Sequence, residues 1–143
     1  IMIDYNLLQQ DRSSIFNLCI ENNINISAGT ALCQGLLIQS PLSYFNKKRS
    51  LFSLARVLLK NSSRKYLPYA KIARKYMKTN FTESFNSIHL SFVLNNPSIT
   101  SIPIGMLSKE SIYRNINIEK ETTSKTITEK VGNWCLKNCQ IHD

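Results

Sequence analysis

A turn able to hold an anion lies between Ser98 and Asn115. Ser98 to Ile104 is a short β-branched run in which Ile99, Ile102 and Ile104 suit a buried strand. Gly105 ends it, and Ser108 is placed to cap the helix that follows. A strand that runs through glycine into a helix N-terminus presents backbone N–H groups with no helical partner, at the end where the dipole favours negative charge. Phosphate is the chemistry such a turn serves. The same turn also occurs in any α/β protein as a plain connection without a ligand.

Other reactive side chains are sparse. Cys19, Cys33, Cys135 and Cys139 do not form a metal pattern, with only His89 and His142 to join them. Cys19 sits in an apolar helical run, and reduced, structural thiols are the expectation for all four. Lys47, Lys48, Arg49, Arg56, Lys60, Arg64, Lys65, Lys71, Arg74, Lys75 and Lys78 form a basic block, and no acid lies between Glu21 and Glu83. Such a block attracts phosphate-bearing partners, nucleic acid included, or is a solvated face. No recognised nucleic-acid-binding motif accompanies it.

The elements that would position the turn follow from punctuation and periodicity. Thr82 is placed as an N-cap with Glu83 in the first turn. Phe85, Ile88, Phe92 and Val93 follow at helical spacing, widened by Leu90 and Leu94. Asn95-Asn96-Pro97 stops that helix, because proline disfavours helical geometry in the residue before it. On the helix after Gly105, Ile112 and Ile116 are expected on the buried face. Upstream, Ile1 to Tyr5 reads as a strand, Asn6 to Asp11 as a polar loop, and Ser13 or Ser14 as the cap of a helix carrying Ile15, Phe16, Leu18, Cys19 and Ile20. Asn22-Asn23 ends that helix and Ile24 to Gly29 forms a second strand. An irregular region runs from Thr30 to about Ser50. Helices are expected over Leu51 to Lys60, Tyr69 to Lys78 and Thr126 to Leu136, with Trp134 anchoring the last. Helices alternating with three short strands imply a parallel sheet in an α/β fold. Three such strands leave unpaired edges, so further strands are expected before Ile1.

At 143 residues, 43% of them apolar, the chain suits one globular domain. No apolar run approaches a membrane span and no secretory signal is present, so a soluble, cytoplasmic protein is expected. The chain begins at Ile1 inside an expected strand, as a segment of something longer would.

Three segments, in order, resemble the C-terminal half of the aldo-keto reductase superfamily. Asp4-Tyr5-Asn6-Leu7-Leu8 is similar to the sixth strand and its YNLL-like exit. Ile26-Ser27-Ala28-Gly29-Thr30-Ala31-Leu32-Cys33-Gln34-Gly35-Leu36-Leu37 resembles the seventh strand and the PLxxGLL-type loop after it. HLSFVLNNPSITSIPIGMLSKESIYRNI resembles the ALxWVLxNPxVxxxIxGxxxxEQLxEN region. The resemblance implies that residues 1–118 are strands six to eight of a (β/α)8 TIM barrel, incomplete alone, and that residues 119–143 are a tail. It implies carbonyl reduction or alcohol oxidation by hydride transfer with NADP or NAD and no metal. The catalytic Tyr, Asp, Lys and His of the family come from earlier strands, so none is assigned here. Neither Tyr5 nor His89 takes such a role.

What the resemblance carries over is cofactor binding. Thr30, Ala31, Leu32 and Gly35 correspond to the loop that wraps the pyrophosphate. Gly105, Met106, Ser108, Ser111, Arg114 and Asn115 correspond to the turn that holds the adenosine phosphate and adenine. Departures are present: Gly29 stands where many relatives stack an aromatic on nicotinamide, and Met2 where a Gln often bonds its carboxamide. Gly29 and Met2 as mere barrel packing is the bland alternative. Gly105 and Ser111 replace Lys and Arg that often meet the 2′-phosphate, leaving Arg114 as the substitute and NADP as the preferred cofactor. The expected partners are the N-terminal half of the barrel and a small carbonyl or sugar-like substrate. The alternatives are a non-catalytic barrel-derived scaffold module and a basic nucleic-acid-binding domain.

Overall fold

The structure, a computed structural model, describes residues 1–38, 61–106, 109–120 and 123–139. Its elements in chain order are β1 (Met2–Asp4), α1 (Ser13–Glu21), β2 (Ser27–Gly29), a 3-10 turn at Cys33–Gly35, α2 (Asn61–Asn80), α3 (Phe85–Leu94), α4 (Lys109–Lys120) and α5 (Lys125–Asn138). The expected helix over Leu51 to Lys60 lies outside the described residues.

β1 and β2 pair in parallel, with Met2 opposite Ser27, Ile3 opposite Ala28 and Asp4 opposite Gly29. Alternation turns Ile3 and Ala28 to one face, where both are buried. Phe16 and Cys19 of α1, and Leu90 and Val93 of α3, cover that face. Met2, Asp4 and Ser27 share the other face, and Met2 is exposed rather than packed in a core.

The third expected strand is reduced to one parallel bridge, Ser27 to Ser101. Ala28 N–H donates to the Ser101 carbonyl at 2.8 Å and Thr100 N–H to the Ile26 carbonyl at 2.8 Å. Pro103 lacks the N–H that would extend the ladder. β2 is likewise shorter than the expected strand, beginning at Ser27 rather than Ile24.

Several local expectations are corrected. Arg12 occupies the N-cap of α1, and neither Ser13 nor Ser14 caps it. Ser84, not Thr82, caps α3: its hydroxyl accepts from Ser87 N–H at 3.1 Å, and Glu83 therefore precedes the helix. α2 starts at Asn61 and runs through Pro68, well before Tyr69. Pro68 is exposed, where water can replace the bond its ring removes. The helix is held by an inward face of Ala70, Ala73 and Met77 packed into the core.

Ile112 and Ile116 are exposed, contrary to expectation. The inward side of α4 carries Ser111, Asn115 and Ile118 instead, spaced as one helical face, with Ile118 reaching the sheet-side core. The supposed polar loop Asn6 to Asp11 is largely interior, since Asn6, Leu7 and Leu8 are all buried.

A second core lies beyond α3, where Leu7, Leu8, Leu36, Leu37 and Met77 meet Ile88, Val131 and Cys135. Each such aliphatic side chain contributes about 1.5–3 kcal/mol by leaving water. The tail is part of this core. Trp134 stacks on Tyr76 with centroids 3.9 Å apart, and Gln10 Nε2 donates to the Gly132 carbonyl at 2.9 Å. Thr123 N–H also donates to Ser91 Oγ, and Asn95 Nδ2 to Thr128 Oγ1, tying the tail to α3.

Candidate functional site

Both candidate loops leave the same edge of the sheet. β2 and the segment 98–104 are parallel and hydrogen-bonded, so the loop after Gly29 and the turn after Ile104 emerge side by side at the carboxyl ends. Ligands of α/β sheets bind at that end.

The loop after β2 is conformationally unusual. Thr30, Cys33, Gln34 and Gly35 all have left-handed φ, at 49°, 47°, 57° and 85°. Glycine adopts this without penalty, but the three side-chain-bearing residues do so only because their surroundings hold them. Asn6 supplies much of that hold. Its Nδ2 donates to the Thr30 carbonyl at 3.2 Å and to Gln9 Oε1 at 3.0 Å, and its Oδ1 accepts from Leu8 N–H at 2.9 Å. Thr30 Oγ1 donates to Asp4 Oδ1 at 3.0 Å. At the loop's exit, Arg74 Nη1 donates to the Leu36 carbonyl and His89 Nε2 to the Leu37 carbonyl, the latter at 3.0 Å.

These neighbours decide what the loop residues can do. Ala31 is buried and Leu32 packs on the sheet-side core, so their side chains are structural. Cys33 N–H donates to the Thr30 carbonyl and Gly35 N–H to the Leu32 carbonyl, so both donors are spent inside the loop. The Cys33 thiol, buried and near Asp4, is pushed up to about 12 by desolvation first and the carboxylate second, and stays protonated.

In the second turn, Gly105 and Met106 are exposed, and a Cβ added at Gly105 would meet no heavy atom of the described residues within 4 Å. Ser108 lies outside the described residues. Ser111 is half-buried, and Arg114 lies in α4 with its side chain outside the described ones. Asn115 Oδ1 accepts from Asn86 Nδ2 at 2.9 Å, a link from α4 to α3.

The remaining polar groups are structural. Burial lowers the His89 pKa to about 4, the Leu37 bond opposing and Arg74 adding to the shift. The ring is therefore neutral near pH 7. Burial also raises the Tyr5 hydroxyl, which a bond from Asn96 partly offsets. Of the basic block, Arg64, Lys65, Lys71, Lys75 and Lys78 are exposed along α2, whereas half-buried Arg74 turns inward. Lys47, Lys48, Arg49, Arg56 and Lys60 lie outside the described residues. All four cysteines are free and buried. No group of three or more potential metal ligands occurs among the described residues, and none of their helices is long and apolar enough to cross a membrane.

The fold is found in solved proteins. The chain superposes on aldo-keto reductase AKR11C1 from Bacillus halodurans in its holo form with a TM-score of 0.68, at 15% identity, over 94% of this chain. The apo form of the same protein gives 0.67 at 16% identity. The fold is that of part of an aldo-keto reductase. The chain spans 41–42% of the length of those structures, a segment of the aldo-keto reductase barrel. No family model matches the sequence, and no curated protein does.

Sequence reasoning named the two loops but missed the groups that hold them: Asp4, Asn6, Arg74, Asn86 and His89. Asn6 carried a signal, an amide directly before Leu7-Leu8 in an otherwise polar stretch. Asn86 and His89 carried only their place in an apolar helix, where an unexplained polar residue implies a specific partner.

Proposed function

We propose that this chain is the cofactor-binding segment of an NAD(P)H-dependent aldo-keto reductase, acting on a small carbonyl or sugar-like substrate in the cytoplasm. The observation that carries this reading is the shared edge: the strained loop after β2 and the turn after Ile104 leave side by side from β2 and the parallel segment 98–104 bridged to it. The likeness of fold to an aldo-keto reductase over 94% of the chain supports it.

The residues fit a dinucleotide. An exposed Gly105 followed by α4 from Lys109 suits a phosphate group. Ser108, Ser111 and Arg114 would hold the adenosine phosphate there. Asn115 would meet the adenine edge, with Gly105 and Met106 alongside. Thr30, Ala31, Leu32 and Gly35 would line the pyrophosphate, chiefly by shape, since Thr30 Oγ1 already donates to Asp4. When bound, the nicotinamide supplies or accepts the hydride. The general acid and its partners come, on this reading, from barrel strands outside this chain, the N-terminal half being its partner. Arg114 is the candidate reader of a 2′-phosphate, which makes NADP the preferred cofactor.

The test is fluorescence titration of NADPH and NADH into the full-length protein and two variants. Asn115→Leu removes donor and acceptor together and is expected to weaken both cofactors about five-fold to a hundred-fold. Arg114→Ala is expected to weaken NADPH more than NADH. Unchanged affinity in both variants refutes the site.

A further inference from the structure

The outward face of α2 carries one sign of charge. Arg64, Lys65, Lys71, Lys75 and Lys78 are exposed along it, and no Asp or Glu occurs between Asn61 and Asn80. At 3.6 residues per turn, Arg64, Lys71, Lys75 and Lys78 fall within about 60° of arc, with Lys65 to one side. They form a row about 20 Å long, from the rise per residue of a helix. The opposite face is fixed by Ala70, Ala73 and Met77 in the core, and half-buried Arg74 donates to the Leu36 carbonyl, outside the row. A packed helix thus holds the row outward.

This charge works against the helix that bears it. Lys71 and Lys75 stand four apart and Lys75 and Lys78 three apart, spacings at which like charges repel. Arg64 and Lys65 lie toward the N-terminal end, where the dipole favours acids, and the first turn has none. None of the four lysines is in an ion pair among the described residues. A face kept for solubility alone interleaves both signs. A single-sign row that costs its own helix stability is suited to an anion from outside.

We propose that this face docks on the phosphate backbone of a nucleic acid duplex without reading its sequence. The row matches the span of about six successive phosphates along one strand. Lysine is a point charge on a flexible stem, suited to phosphate and not to the paired donors that pick out a base edge. A membrane surface fits less well. A helix lying in one buries an apolar face, and that face of α2 is already in the core, leaving Ile72 as its exposed large apolar side chain. A protein partner is anchored by aromatic side chains, and none is exposed on this face. The row uses no residue of the proposed cofactor turns.

The test is fluorescence anisotropy of a labelled DNA duplex of arbitrary sequence with the full-length protein, between about 50 and 200 mM salt. Four lysine contacts give a slope of log affinity against log salt of about −3.6, hence about a hundredfold weakening over that range. The double variant Lys71→Gln, Lys75→Gln should take about two off that slope and weaken binding at the lower salt about tenfold or more. The double variant Lys125→Gln, Lys137→Gln removes the same charge from α5 and should leave slope and affinity nearly unchanged. A duplex of unrelated sequence should bind as well as the first. No binding by the unaltered protein at the lower salt, equal losses in the two double variants, or a clear preference for one duplex overturns the proposal. So does tighter binding to vesicles of equal parts phosphatidylserine and phosphatidylcholine than to the duplex, lost in the same α2 variant, which would make the anion a membrane surface.

Discussion

His89 imposes a pH-dependence on stability that can be worked out from its surroundings. The ring is 1% exposed, its Nε2 donates to the Leu37 carbonyl, and its Nδ1 has no partner among the described residues. Burial holds the folded-state pKa at about 4, against an ordinary 6.5. Between those values the unfolded chain binds the proton and the folded one does not, so acid favours unfolding. The stability is fully present above 6.5, declines as the pH falls and has lost all it will lose below about 4. At about 1.4 kcal/mol per pH unit the gap corresponds to about 3 kcal/mol, of which about 2 kcal/mol is gone by pH 5. The perturbation is His89→Gln, which retains a donor for the Leu37 carbonyl and does not titrate. Urea unfolding at pH 7.5, 6 and 5 should show the unaltered protein losing about 2 kcal/mol more than the variant over that range. Carboxylates titrate alike in both and cancel. Parallel pH profiles for the two proteins would refute a buried neutral imidazole at this position.

Three further outcomes follow, two from the packing and one from the proposed function. A Cβ at Gly132 would lie 2.7 Å from Phe92 Cε2, so Gly132→Ala should lose about 1–2 kcal/mol despite its helix-propensity gain, and should become stabilising in a Phe92→Leu background. Calorimetry of the four proteins decides it, and a rise in Tm for Gly132→Ala alone would contradict the clash. Ser84→Ala should cost about 1 kcal/mol through the lost cap, and Thr82→Ala close to nothing; equal losses in chemical denaturation would put the cap elsewhere. The purified 143-residue chain should not turn over a simple aldehyde with NADPH, and any rate above blank would show that it holds its own general acid.

Short-range punctuation was legible in the sequence. Asn22 ends α1, Asn95-Asn96-Pro97 ends α3, and strands alternate with helices in parallel, because a stop signal acts within a residue or two of where it stands. The two candidate loops were legible for the same reason, each following a short β-branched or small-residue run. What the tertiary structure alone decided is which faces turn inward and which polar groups find partners. Ile112 and Ile116 face outward because Asn115 meets Asn86 and Ile118 meets the sheet-side core, contacts that helical spacing cannot announce. Pro68 sits inside α2 because Ala70, Ala73 and Met77 gain more by packing than the helix loses at one exposed bond. Asn6 reads as loop polarity until Thr30, 24 residues on, provides the groups it bonds. Such pairings join residues far apart in the chain, and their free energy exists only once the intervening backbone has folded back to bring them into contact.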